Sequence, residues 1–361
     1  MLFKSLVTFT LLAQSLAAPA VHQHHQHEKR AVHVVTKTNV VVVTVGAHTT
    51  TFPEVSLATP DSSISVSTVS DAPQVAPSGG ASTTETDVPS STESQSSSSS
   101  SSVVGSGGAR GVTYSPYSDQ GGCKSAGQIQ SEVAALSGFD LIRLYGVDCD
   151  QVAQVLKAKT PSQKLFAGIF DVANIASGIE TLASAVKENG SWDDIDTVSI
   201  GNELVNSGQC TPGQIQGYIN TARPLLKAAG FSGSVVSVDT FIATINNPEL
   251  CKYSDYVAVN AHAFFDGYYT AQDAGDWVLQ QIQRVWTACG GEKQVLITET
   301  GWPSRGDSNG KAVPSKQNQQ DAIASIKAKC GSAAILFTAF NDLWKADGPY
   351  NAEKYWGFLS N

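Results

Sequence analysis

From Gly111 to Ala339 the chain alternates short β-branched and apolar runs with segments of helical spacing, and this alternation limits the fold more than any other feature. The strand-like runs are Gly111 to Pro116, Asp140 to Tyr145, Lys164 to Phe170, Asp196 to Gly201, Ser234 to Asp239, Tyr256 to Asn260, Gln294 to Thr298 and Ala333 to Ala339. Helical spacing marks Ser125 to Leu136, Gln151 to Lys159, Ile179 to Glu188, Pro212 to Ala229, Asp276 to Thr287 and Ser315 to Lys329. Thr211 as N-cap and Pro212 at the first helical position mark one of these starts. Eight β runs alternating with helices over roughly 250 residues predict an α/β fold, a single (β/α)8 TIM barrel. The rival, an open doubly wound sheet, calls for a Gly-rich phosphate loop after the first strand, and none follows Tyr114. A barrel gathers its chemistry at the C-terminal ends of its strands.

The region before the barrel reads differently. Residues 1–18 have Lys4, an apolar run from Leu6 to Leu16 and small residues at Ser15, Ala17 and Ala18, the layout of a signal peptide. That run is too short to span a bilayer, so no membrane anchor is expected from it. Residues 19–30 hold four close histidines and end in Lys29-Arg30, which reads as a processed pro-segment, with metal binding by the histidines as the alternative. Residues 31–48 are Val-rich and β-prone, either a self-association segment or an unstructured leader. Residues 49–108, dominated by Ser, Thr, Gly, Pro and Val, cannot bury enough apolar surface to offset their ordering entropy. They predict a disordered Ser/Thr-rich linker, and the barrel domain then occupies 109–361.

A net charge of −9 argues against nucleic acid or an anionic membrane as partner and is compatible with a neutral polymer. Cys123, Cys149, Cys210, Cys251, Cys289 and Cys330 in an exported chain suggest disulfides, with many pairings open if all are joined. None has CxxC spacing, so a zinc site is not expected; the sequence of the large domain shows no metal-ligand cluster either, and no metal or cofactor is expected there. Asn189-Gly190-Ser191 is an N-glycosylation sequon.

Two β-rich runs end on glutamates, Glu203 after Thr197 to Asn202 and Glu299 after Val295 to Thr298. A carboxylate at a barrel mouth costs desolvation unless it is paired or used. Two such ends suggest the carboxylate pair of glycoside hydrolysis, with structural ion pairs as the alternative. Arg143 stands inside an apolar strand and so should point into the mouth towards a carboxylate, Glu299 or else Asp140 or Asp148. His262, in Asn260-Ala261-His262-Ala263-Phe264-Phe265, lacks the Gly-x-Ser-x-Gly turn of a serine hydrolase and reads as a hydrogen-bonding partner behind the site.

The runs Ile142-Arg143-Leu144-Tyr145-Gly146, Gly201-Asn202-Glu203, Thr298-Glu299-Thr300-Gly301-Trp302-Pro303 and Ala339-Phe340-Asn341-Asp342-Leu343-Trp344-Lys345 resemble those of glycoside hydrolase family 17. The likeness spans about Gly111 to Phe358, and within the family it points to fungal secreted cell-wall β-1,3-glucanases of the soluble-cell-wall-protein type. The resemblance implies a TIM barrel, retention of configuration and action on β-1,3-glucan. It makes Glu203 the general acid/base and Glu299 the nucleophile. Asn202 is then the expected donor to the sugar 2-hydroxyl, or alternatively a turn residue. With Arg143, the aromatics Tyr114, Tyr145, Phe264, Trp302 and Trp344 are the candidate substrate-binding residues, each equally able to be loop packing. The expected protein is a monomer, secreted into the cell wall, that cleaves internal β-1,3-glucosidic bonds. A transglycosylase, a non-catalytic glucan-binding wall protein and a barrel hydrolase of another polymer are the competing readings.

Overall fold

The computed structural model describes residues 107–360; the predicted signal, pro-segment, Val-rich stretch and nearly all of the linker lie outside the described residues. Eight parallel strands close a barrel in sequence order: β1 Gly111–Thr113, β2 Leu141–Arg143, β3 Lys164–Ile169, β4 Ile195–Asn202, β5 Ser234–Thr240, β6 Val257–Asn260, β7 Val295–Thr300 and β8 Ala334–Leu336. The helices are α1 Ala126–Ala134, α2 Gln151–Ala158, α3 Ile175–Asn189, α4 Pro212–Ala228, α5 Phe241–Asn246, α6 Leu250–Tyr253, α7 Ala274–Ala288 and α8 Lys316–Cys330. All eight predicted β runs are strands here, so the TIM barrel expectation holds. Two helices were not expected, α5 and α6 between β5 and β6, both shorter than two turns. A segment that short carries no readable 3.6-residue period; only the Thr240 cap, whose hydroxyl accepts from Ala243 N at 3.1 Å, marks the start of α5.

Alternation within the strands sorts two cores. Leu141, Phe166, Val236, Val238, Ala258, Leu296 and Ile335 form one cluster, inside the barrel. Their neighbours in sequence, such as Ile142, Leu165, Val235, Val259 and Ile297, belong to the larger cluster between barrel and helices. Four of the six cysteines are joined, Cys123 to Cys149 and Cys251 to Cys289. Cys210 and Cys330 are thiols, so a fully bridged set is not what the chain builds. Topology gives the reason: Cys210 lies in the β4–α4 loop at the mouth, and Cys330 ends α8 at the opposite end of the barrel.

Candidate active site

Both glutamates owe their placement to irregular strand ends. In β4 the pairing register shifts between Ser199 and Asn202, and Gly201 there has φ +74°. That φ favours glycine, and a Cβ there would also press on Leu204 Cδ1 at 2.6 Å. The bulge turns Asn202 inwards and delivers Glu203 in the left-handed region, φ 54°. A second irregularity lies where β6 meets β7, so that Asn260 pairs with Glu299 although Val259 pairs with Ile297. Thr298 and Glu299 consequently both face the barrel interior, where strict alternation would have sent Glu299 out with Ile297. The Glu203 turn is held from several sides. Its N–H donates to Val238 O at 3.0 Å, Ser207 Oγ donates to its carbonyl at 2.8 Å, and buried Asp239 accepts from Val205 N and Asn206 N at 2.8 and 3.0 Å.

Arg143 is the hub. It is 1 % exposed, with its guanidinium over the rings of Tyr145 and Phe166 at 4.5 and 5.3 Å. Nη1 donates to Glu299 Oε1 at 2.8 Å and Thr298 O at 2.9 Å, and Nη2 donates to Asn202 Oδ1 at 2.8 Å. The guanidinium only donates, so it fixes both nearby amides: their oxygens face it and their N–H2 groups face away. Asn260 thus accepts from Thr298 Oγ1 at 2.8 Å and, on its other side, donates to Glu203 Oε1 at 2.8 Å. Tyr145 O–H also donates to Glu299 Oε1, at 2.8 Å, which saturates that oxygen. Among the described residues Oε2 has only the His262 Nε2 contact, at 3.5 Å, and is the oxygen left to attack.

The two carboxyls are driven apart in protonation. Burial would raise Glu299, but the Arg143 charge, with His262 and the Tyr145 hydrogen bond, brings it down to about 2. Burial, and then the negative charge of Glu299, push Glu203 above the usual carboxylate value, against the opposing Asn260 hydrogen bond. Since Asn260 occupies Oε1 of Glu203, the proton of the acid form belongs on Oε2. Separated pKa values at one site are how acid and base roles are assigned. The pH profile of kcat/KM should accordingly be a bell that belongs to the pair as a whole. Its acid limb lies near pH 2, where Glu299 loses its charge, and its alkaline limb lies above 4.5, the ordinary value for Glu203, which there loses its proton. A profile already falling below pH 4.5 on the alkaline side contradicts this ordering.

Glu203, Glu299, Asn202, Tyr145 and Trp344 line one cleft of about 920 Å³. A second groove, of about 710 Å³ between α3 and α4 around Trp192, contains no such pair. The expected partner of Arg143 is found, but as a fully buried residue it holds Glu299 and Asn202 and does not line the cleft. Three aromatic assignments need correction. Tyr114 is 1 % exposed and donates to Glu132 at 2.6 Å. Phe264 and Trp302 are 0 % exposed and pack edge-on at 5.5 Å, with Trp302 Nε1 donating to Val313 O at 3.0 Å. Tyr114 packs beneath the loop after β1, and Phe264 and Trp302 pack together beneath the loops after β6 and β7, because a strand-end position fixes depth in the barrel and not the direction a ring takes. Asn189 closes α3, with its amide donating to Ala185 O at 2.8 Å. Sequence reading missed Asn260, Asp239 and Tyr117. Asn260 gave the same signal as the glutamates, a polar residue ending an apolar strand.

Residues 111–357 match the family model of the BtgE/BtgC glycoside hydrolase domain. A cell surface mannoprotein of Candida albicans is 68 % identical over 384 aligned positions, covering all of both chains. A probable family 17 glucosidase of Saccharomyces cerevisiae is 65 % identical over 254 residues, which is 70 % of this chain and 65 % of that protein's own length. Among solved structures, an active-site mutant of a Rhizomucor miehei β-1,3-glucanosyltransferase in complex with laminaritriose aligns with TM-score 0.60 over 70 % of this chain and 94 % of that one. At 20 % identity that likeness speaks for the barrel alone. The domain match and the curated relatives agree with the strand-end motifs: the chain belongs to glycoside hydrolase family 17, carries a BtgE/BtgC-type domain, and is a glycoside hydrolase.

Proposed function

We propose that the protein acts on internal β-1,3-glucosidic bonds of wall glucan by double displacement, with Glu299 as nucleophile and Glu203 as acid/base. The observation that carries this is the geometry of the pair: buried Arg143 bonds Glu299 directly and reaches Asn260, which bonds Glu203, so both carboxyls are held at one cleft while only Glu299 has the cation beside it. In the first step Glu299 Oε2 attacks the anomeric carbon while Glu203 gives its proton to the leaving oxygen. The Asn202 amide N–H2, its oxygen committed to Arg143, is the donor available to a sugar 2-hydroxyl in the cleft. In the second step Glu203, now ionised, takes a proton from water, and the sugar leaves with its configuration retained. Tyr145 and Trp344 serve as flat walls for sugar rings.

Transfer to another glucan shares every step up to the glycosyl-enzyme, and the two outcomes part only at the acceptor. Profiling products from defined β-1,3-oligosaccharides separates them: products longer than the substrate mean transfer, shorter ones alone mean hydrolysis, and no cleavage with turnover of another glycan removes the substrate assignment. The non-catalytic reading has against it the intact pair and its supporting bonds.

We also propose that the segment before the barrel exports the protein and spaces it from the wall, with Lys29-Arg30 as its processing site and Asn189 and the Ser/Thr tract as sites for sugar. A chain starting at Gly107 should turn over soluble laminarin at the full-length rate while losing wall retention, because β1 to β8 and both disulfides lie past that point. A tenfold lower rate with the fold intact would place part of the site in the removed segment.

A further inference from the structure

The cleft accounts for one side of the catalytic pair only. Its walls come from the ends of β3, β4 and β7, the loops after β1, β2, β3, β4 and β8, and α3; the loops after β5, β6 and β7 contribute no lining residue. A glycosidic bond broken at the pair carries sugar on both sides. On the uncovered side the rim bears two half-exposed rings, Phe265 after β6 and Tyr350 after β8, 42 % and 38 % exposed. Their centroids are 6.5 Å apart and their planes only 35° from parallel. Beneath them, Trp356 lies 5.6 Å from Phe265 at 38°, itself buried. The surface is continuous with the site: His262 meets Phe265 at 6.1 Å and stands 3.5 Å from Glu299 Oε2. Trp356 also meets Phe337, a cleft residue, at 5.6 Å.

The backbone that presents Tyr350 is strained. Tyr350 and Asn351 are successive non-glycine residues in the left-handed region, φ 58° and 51°, a conformation that asparagine tolerates and tyrosine seldom adopts. A clasp from the loop after β7 holds them there. Asn351 Nδ2 donates to Asp307 Oδ2 at 2.6 Å, and Asp307 N–H donates to Tyr350 O at 2.6 Å. Gly306 fits beneath only because it lacks a Cβ, which would lie 2.6 Å from Tyr350 O. Strained backbone held by specific partners tends to mark functional sites, and the two near-parallel exposed rings it presents offer a flat apolar face.

We propose that Phe265 and Tyr350, clasped by Asp307, are the acceptor platform of the enzyme, on which a second β-glucan chain stacks the apolar face of a sugar ring. This rests on the retaining two-carboxylate reading above and gives it a transfer activity. A hydroxyl of the stacked acceptor gives its proton to the Glu203 carboxylate and its oxygen bonds to the anomeric carbon. The carbon–oxygen bond to Glu299 breaks, and Glu299 leaves as carboxylate. Holding the acceptor there raises its effective concentration against water. Phe265 and Tyr350 touch the acceptor; Asp307 is a positioning residue.

The test uses the full chain with a β-1,3-hexasaccharide donor and laminaritriose acceptor, counting elongated products against new reducing ends. Phe265→Ala and Tyr350→Asn, the latter tolerating left-handed backbone, should lower the transfer-to-hydrolysis ratio by about tenfold and raise the acceptor concentration for half-maximal transfer. Asp307→Ala should move the same ratio in the same direction, and Asp307→Asn, which still accepts from Asn351, should restore it. In a Glu299→Gln background, where nothing turns over, Phe265→Ala should weaken laminarihexaose binding by about tenfold. An unchanged ratio or an unchanged affinity overturns the platform. A wild type that cleaves no β-1,3-glucan overturns the functional reading instead, and the binding comparison then still decides the platform.

Discussion

Glu299→Gln should lower kcat on laminarin by at least ~10⁴-fold, and Glu203→Gln by about 10²–10⁴-fold. The two losses differ in kind. Without Glu299 no covalent intermediate forms, whatever the leaving group. Without Glu203 a substrate with a strongly acidic aryl leaving group needs no proton, so the first step survives. The glycosyl-enzyme should then accumulate and give a burst of aryl product. Equal rates on poor and good leaving groups in Glu203→Gln would remove that residue from the acid role.

Arg143→Ala should be the most damaging substitution away from the two glutamates. It leaves Glu299 buried and unpaired, and strips donors from Asn202 Oδ1, Asn260 Oδ1 and Thr298 O. Breaking a buried pair in this way costs about 3–5 kcal/mol. The pH dependence carries the sign. In the wild type Glu299 sits at about 2, below its unfolded value, so it adds stability above that unfolded value and loses it as pH falls through 2. Arg143→Ala removes the largest opposing influence, so burial, left against only His262 and the Tyr145 hydrogen bond, should lift the folded value above the unfolded one. That penalty is absent below the unfolded value and grows as pH rises. Denaturant unfolding should therefore find a larger deficit at pH 7 than at pH 3, with activity lost at both. Arg143→Lys should not rescue, because one ammonium cannot serve Glu299 and Asn202 along two directions as the guanidinium fork does. A deficit independent of pH would mean that the Glu299 charge is held by something other than Arg143.

The architecture was readable because each strand is a short apolar run and each long helix keeps its period. Glu203 and Glu299 stood out for the same reason, as charges ending such runs. Other features depend on contacts that no single segment contains. The β4 and β7 irregularities come from pairing with neighbouring strands, and without them period-2 alternation points Asn202 and Glu299 the wrong way. Asn260 became visible as the bridge between the carboxyls only when β6 was set beside β4 and β7. Trp302 and Trp344 were indistinguishable as strand-end tryptophans. The first turned under the loop to bond Val313 O, whereas the second stands in the cleft against Tyr117 at 5.0 Å. Tyr117 itself is fixed from a distance, its hydroxyl donating to Asp148 at 2.8 Å across the loops that Cys123–Cys149 joins.

Azide rescue tests the division of labour between the two carboxylates most directly. In Glu299→Gly the small anion enters the space of the nucleophile and attacks from its face, so the product should be the inverted α-glycosyl azide. In Glu203→Ala the glycosyl-enzyme still forms on Glu299 and azide attacks from the acid/base side, so the product should be the retained β-glycosyl azide. NMR of the anomeric proton distinguishes them. The account predicts that opposite pair of products; the same anomer from both variants, or the two anomers exchanged, would contradict it.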